Sequence, residues 1–417
     1  MKLLRDFIQL FAVQTTLLNS EGNDLSPEMK TYYDKNLLRN AKANLVHRQF
    51  GQKRPLPKGS GKTIEFRKFT PLGKALTPLT EGVTPSGNQL DVTSLTATVS
   101  QYGDFIQLSD LLELTALDPI IVETTALLGD QAGRTDDTLI RDVLCQGTNV
   151  MYAPTWSGTT ESAVTSRSKL DTTAVLTVDL VKQVAAKMRA ANVPTINGNY
   201  VAIIHPLAAY DLESDPAWID MQKYQAREEL FNGEIGRIAG VRFVESSEAK
   251  IWRGDDLASD SRTLAVNGNI SAGAVTSISF DGGTVAEHAL KGRKVYVGDY
   301  TFEVTDNTAS ALTVKSVTTT AQIADNTVIY PGEGGKQGIS VFATLFLGRD
   351  AYGVTDLEGG GLQTIVKQKG SAGTGDPLDQ RSSVGWKLTT VSEILMQPYL
   401  IRVEHTSKRF SANAAAN

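Results

Sequence analysis

Cysteine is the scarcest resource of this sequence: Cys145 is alone among 417 residues. An internal disulfide is therefore excluded, and with it the stapled scaffolds of small secreted proteins. Long apolar runs are missing too. The best candidate, residues 341–347, is strand-sized and far short of the roughly 18 residues a membrane span requires, so no membrane partner is expected. Histidine is rare, and His47, His205, His288 and His405 stand far apart with no local second ligand for zinc. Fourteen prolines against 36 glycines, with 41% apolar and 21% charged residues, are ordinary globular usage and exclude collagen and a disordered tail.

Catalytic signatures are absent as well. Pro57-Lys58-Gly59-Ser60-Gly61-Lys62-Thr63 imitates a phosphate loop, but its first glycine should fall at 56, where Leu56 stands, and no apolar strand precedes it. There is no G-x-S-x-G elbow, no H-E-x-x-H and no dinucleotide glycine pattern. Asp136-Asp137 and Glu228-Glu229 are adjacent acids. Helical neighbours point about 100° apart, poor geometry for paired acid and base work, so both pairs read as surface charges. Cys145, beside Leu144 at the apolar end of a helix, reads as a core thiol. The chain is expected not to be an enzyme and to need neither metal nor organic cofactor.

What is present is a long chain with an uneven charge. Its length leaves room for more than one sub-structure, at about 150 residues per domain. Forty-one Lys and Arg against 46 Asp and Glu give −5. Positions 30–68 hold eleven basic residues against Asp34 and Glu65, or +9, which leaves −14 for the remainder. A basic segment and an acidic remainder suit contact between copies of one chain; a solvated basic face is the alternative. Residues 1–18 resemble a secretory signal until Asp6, Gln9 and Gln14 interrupt them, and they read instead as an amphipathic helix.

Periodicity predicts the elements. A helical stretch over 27–50 precedes a two-stranded ribbon, residues 63–67 alternating against Leu95, Ala97 and Val99, with a Pro, Gly and Thr-rich linker between. An isolated ribbon is marginal in water, so it is expected to lie on another molecule. Asp118-Pro119 is a cap followed by proline at the first helical position, and the apolar period then runs to Gly147, with Gly129 and Gly133 predicted to bend the helix. Thr177 caps a second helix, 199–204 reads as a buried strand, and His205-Pro206 opens a helical turn. Residues 263–330 switch to short alternating runs, predicting a compact all-β module between two Gly-rich charged boundaries. Strand patterns return at 341–347 and 386–404.

In that order, the features resemble the major capsid protein family of tailed bacteriophages. The likeness rests on Leu79-Thr80-Glu81-Gly82-Val83-Thr84-Pro85 with Tyr102-Gly103-Asp104-Phe105, the Asp118-Pro119 helix, Ala202-Ile203-Ile204-His205-Pro206 with Asp215-Pro216-Ala217-Trp218, Gly233-Glu234-Ile235-Gly236-Arg237, and Leu347-Gly348-Arg349-Asp350-Ala351-Tyr352-Gly353. The resemblance implies an α+β fold: an N-terminal arm (1–57), an extended loop (58–107), a peripheral domain (108–194 and 386–417) with a spine helix (119–146), and an axial domain (195–385). The β module (263–330) would be an insertion in the axial domain. It further implies a structural subunit assembling as hexamers and pentamers into an icosahedral shell, with a separate scaffolding protein, a portal and packaged double-stranded DNA in non-specific contact. Assembly would take place in the host bacterial cytoplasm and the product would be the virion capsid. Lys58, Lys62, Arg67 and Lys68 on the ribbon are the expected assembly contacts. A shell protein of a cellular encapsulating compartment is the first alternative, and a glycan-binding hydrolase the second.

Overall fold

The computed structural model describes residues 45–110, 120–222, 234–356, 361–367 and 378–417, less single positions 58, 60, 70, 71, 73, 77, 80, 83, 85, 86, 261 and 379. The chain divides into two compact units, Met1–Val143 with Tyr352–Leu395, and Leu144–Ala351 with Met396–Asn417. The predicted helix over 1–18, most of that over 27–50, the Asp118-Pro119 cap and Glu228-Glu229 lie outside the described residues.

The first unit opens with α1 (Val46–Gln49) and β1 (Gln52–Lys53), then the ribbon strands β2 (Thr63–Phe69) and β3 (Val92–Thr98), then β4 (Ser100–Ser109) and α2 (Ile120–Leu144). Along α2, Leu128, Ala132, Ile140 and Leu144 are buried at four-residue spacing, the stripe a helix lays on a core. Its 25 residues span about 37 Å.

The second unit runs through β5 (Val150–Tyr152), the hairpin β6 (Thr155–Ser157) and β7 (Thr160–Ser162), α3 (Val178–Ala190), β8 (Tyr200–Ile204), α4 (Pro206–Glu213), α5 (Pro216–Gln222), β9 (Glu234–Ile238), β10 (Val241–Glu245) and β11 (Ile251–Trp252). A six-stranded closed barrel follows: β12 (Leu264–Val266), β13 (Gly273–Asp281), β14 (Lys294–Val297), β15 (Tyr300–Asn307), β16 (Ala311–Thr319) and β17 (Val328–Pro331), in the order β12-β13-β16-β15-β14-β17. β18 (Val341–Leu347) returns to the unit's main sheet. The chain then adds β19 (Tyr352–Asp356), β20 (Gln363–Lys367) and β21 (Arg381–Ile394) to the first unit and ends with β22 (Leu400–His405) in the second.

In the first unit the sheet order is β1-β19-β21-β20, with β4 on β21 in a ten-residue antiparallel register from Ser100↔Thr390 to Ser109↔Arg381. Alternation sends Val384, Trp386 and Leu388 to one face, where they meet Leu108 and the Leu128 and Ala132 stripe of α2. In the second unit the order is β5-β22-β18-β8-β10-β9, with β11 also on β18. β8, β18 and β22 are buried at every position, which is why Tyr200–Ile204 and Val341–Leu347 read as continuous apolar runs. α3 covers this core with Leu180, Val181, Val184, Ala185 and Met188. Thr177 accepts from the Leu180 amide at 3.3 Å, the predicted cap.

Several expectations change. Helix α3 lies in the second unit, where its apolar face packs on the central sheet's core. β19, β20 and β21 lie in the first unit, because β21 pairs along its length with β4, β19 and β20. The strand pattern over 386–404 is two strands separated by a turn at Pro398. Cys145 is half-buried rather than a core thiol. Asp136 and Asp137, read as surface charges, are buried at 2% and 0% exposure, each with its own basic partner.

Candidate assembly interface

The ribbon pairs Thr63 with Thr98 through to Phe69 with Val92, one residue against one, without a bulge. That register puts Ile64 and Phe66 opposite Ala97 and Leu95 on one face, and Glu65 and Arg67 on the other. Phe66 and Ala97 are buried, and Phe66 sits on Gly353 of β19, its ring atoms 3.1 Å from where a Cβ would stand. At its base the ribbon thus rests on its own unit, where the sequence had pointed to another molecule.

Farther out the ribbon and the segment it carries are bare. Leu76 and Leu79 are 82% and 78% exposed, and Leu72, Leu90 and Val92 are exposed beside them. Uncovered leucines clustered in one segment form an exposed apolar surface of the kind that marks interaction sites. Of the four expected contacts, Lys62 and Arg67 are exposed, and Arg67 lies 3.6 Å from Glu65 of the same strand. Lys68 pairs through its backbone with Thr93, and its side chain, like Lys58, lies outside the described residues. Charge had drawn attention to the lysines. The Leu residues set in Thr-Pro-Leu repeats at 70–72 and 77–79 were the missed signal, since apolar residues in a polar linker have no local core to join.

A second surface lies on the outward face of β4, β21 and β20. Gly385 pairs with Phe105 on one side and Ile365 on the other. Phe105 and Ile365 are exposed. They flank a trough of about 650 Å³ over the glycine, also lined by Lys367, Arg381 and Lys387. Glycine is required here: a Cβ would stand 2.7 Å from that of Phe105 and 2.9 Å from the Asp104 carbonyl. Behind the trough, the Trp386 indole donates to Gln131 Oε1 at 3.0 Å, and Gln131 Nε2 donates to Asp104 at 2.7 Å, fixing the sheet against α2.

Buried charge underlies the ribbon. His47 donates its backbone N–H to Asp137 Oδ1 at 2.7 Å, and its ring Nδ1 lies 2.6 Å from Oδ2. Arg48 donates to Asp136 at 2.6 Å and also to Asp356. The Tyr352 hydroxyl donates to the His47 carbonyl. Burial lifts the Asp136 carboxyl above the usual carboxylate range despite Arg48. Burial also opposes the Arg48 charge, but Asp136 and Asp356 outweigh it and hold the guanidinium's pKa above normal. Burial likewise pushes the Tyr352 phenol up, so it remains a neutral donor. Two adjacent acids pointing about 100° apart, useless as a catalytic pair, thus grip two consecutive residues of another segment. Among the described residues, no three His, Cys, Asp or Glu side chains gather as a metal site.

Comparison with known proteins places these surfaces in context. The sequence model described as phage capsid protein matches residues 25–369. Among solved structures, the capsid of cyanophage P-SCSP1u is similar over 96% of this chain and 94% of its own, with a TM-score of 0.52 and 12% identity. The capsid of Ralstonia phage GP4 is similar over 97% of each chain, with a TM-score of 0.52 and 12% identity. The capsid asymmetric unit of cyanophage Pam1 is similar over 97% of this chain and 98% of its own, with a TM-score of 0.54 and 12% identity. No curated protein matches the sequence.

Proposed function

The chain belongs to the phage capsid protein family, and from that premise we propose how it serves in the shell. As a structural capsid protein it associates with copies of itself, and its place is the virion capsid. We read its copies as forming hexamers and pentamers in the host bacterial cytoplasm, guided by a separate scaffolding protein and interrupted at one vertex by a portal. Packaged double-stranded DNA touches the shell without sequence preference. The subunit carries out no catalysis and needs no cofactor.

The unit holding α2 and the ribbon is the peripheral part, with 1–57 as arm and 58–107 as extended loop; the unit holding the central sheet is the axial part. The barrel, 263–330, is an insertion in it. The ribbon carries assembly. Its exposed leucines and the basic Lys58, Lys62, Arg67 and Lys68 meet neighbouring copies, and the trough over Gly385 offers such a neighbour an apolar notch rimmed by positive charge.

The observation that carries this reading is the family match across 25–369, which favours a phage capsid over a cellular compartment shell. Its test is negative-stain imaging of the expressed chain with and without the scaffold of its own phage. Closed shells are expected, and discrete small particles under every condition would contradict the reading.

A further inference from the structure

We propose that the buried cluster of His47, Arg48, Asp136, Asp137, Asp356 and Tyr352 aims the ribbon, as a set of positioning residues that act on it through β19 and residues 52–56. The inference rests on the reading that the ribbon carries assembly. A two-stranded ribbon has no core of its own to fix its direction, so something at its foot must do so.

The path from cluster to ribbon is continuous. His47 and Arg48 seat α1 on two neighbouring acids of α2, while Arg48 and the His47 carbonyl reach Asp356 and Tyr352 at the two ends of β19. Residues 52–56 then run along β19. Gln52 and Lys53 pair in parallel with Gly353 and Val354, and the amides of Arg54 and Leu56 donate to the carbonyls of Val354 and Asp356 at 3.1 and 2.8 Å. Register cannot slip easily, because at Gly51 a Cβ would lie 2.7 Å from both Tyr352 Cε2 and Val354 Cγ2. Two contacts pass the position on. The Arg54 guanidinium lies over the Phe66 ring at 5.6 Å, and the same ring rests on Gly353. The foot of the ribbon thus stands on the strip that the cluster holds in place. Well-packed apolar residues often replace buried ion pairs without loss of stability, so it is the cluster's connections to β19, and not its stability, that bear on the ribbon.

The test is hydrogen exchange of the unassembled subunit, read beside shell yield, for the paired variant His47→Leu with Asp137→Leu and for Asp137→Asn. The leucine pair fills the space without the hydrogen bonds. Asparagine keeps an acceptor for the His47 amide and a partner for the ring. In the leucine pair, amides of β2 and β3 should exchange about tenfold faster while those of β4 and β21 keep their protection, and shell yield should fall; Asp137→Asn should keep both near their natural values. Unchanged β2 and β3 exchange in the leucine pair would overturn the inference. Accelerated exchange with normal shells would support the positioning role and refute instead the assembly role of the ribbon. Should the leucine pair fail to fold, Arg54→Ala, at an exposed position, interrupts the same path. Faster ribbon exchange there supports the proposal, and unchanged exchange overturns it.

Discussion

At the scale of single residues, the centre of the second unit holds two buried polar groupings, and the one around His405 bears on its response to acid. His405 is fully buried between Thr344, whose hydroxyl lies 2.8 Å from Nε2, and the Thr406 carbonyl, 3.2 Å from Nδ1, and it stacks on Phe342. Burial drives its pKa down to about 4. Burial also lowers that of His205, whose ring lies 5.6 Å from the same Phe342. Between pH 6.5 and 4 the unfolded chain therefore binds the His405 proton and the folded one does not. The stabilisation is present in full above 6.5 and is lost as pH falls, by roughly 3 kcal/mol across the window. Thermal melts from pH 7.5 to 4.5 should show a smaller acid-induced drop in Tm for His405→Gln than for the natural chain; equal drops would show that His405 is not the group responsible. The adjacent Glu404 is tied by Arg167 through two 2.7 Å bonds and by Arg402 at 2.9 Å, with Trp252 under the Arg167 guanidinium at 3.6 Å. None of these partnerships was legible in the sequence. Arg167 is 237 positions from Glu404, and His47 is 90 from Asp137. Spacing rules see only neighbours along the chain, so Asp136 and Asp137 read as solvated and His47 as solitary.

At the scale of elements, what alternation could show was visible. The ribbon, the all-β segment and the capped helix α3 stand where the period placed them, since each is specified by residues within its own span. Breaks in that alternation mark real irregularities: in β13, inward residues pass from Val275 to Ile278, where the register shifts against β16. The union of β4 with β21, whose pairing joins residues some 280 positions apart, carried no local mark. The barrel meets the rest of its unit at its two chain crossings and through Thr301, whose hydroxyl donates to Ser168 at 2.7 Å. Arg293 donates to the Asp255 carbonyl at 2.6 Å and to Glu333 at 3.3 Å, and Gly254 leaves no room for a Cβ, which would lie 2.2 Å from that of Pro331. Gly254→Val should therefore destabilise the unit by about 1–3 kcal/mol, read as a lowered denaturant midpoint with the barrel's own near-ultraviolet signal retained. Replacing the barrel between Asp256 and Glu333 by a short Gly/Ser linker should leave shells that form but melt at lower temperature. An insoluble subunit would show that the barrel belongs to the main core and is no accessory.

At the scale of the whole molecule, the sequence sets a basic segment of +9 against a remainder of −14, and the exposed apolar residues of the ribbon region follow or border that segment along the chain. Charge and apolar contact make separable predictions. Reversing Lys62 and Arg67 to Glu should weaken shell formation more than folding, and the wild-type shell should lose stability at raised salt, since exposed charges are screened beyond about 8 Å at physiological ionic strength. Leu79→Glu with Leu90→Glu should lower shell yield further, and raised salt should not reproduce that loss, because apolar contact is not screened. The central claim is that copies of this chain close into a shell through the ribbon. It is tested most directly by sedimentation velocity and electron microscopy of the expressed chain, alone and together with the scaffolding protein proposed for it, natural sequence beside the Leu79→Glu, Leu90→Glu variant. The account predicts uniform closed shells for the first and soluble, folded, unassembled subunits for the second. Normal shells from the variant, or no shells from the natural chain, would contradict it.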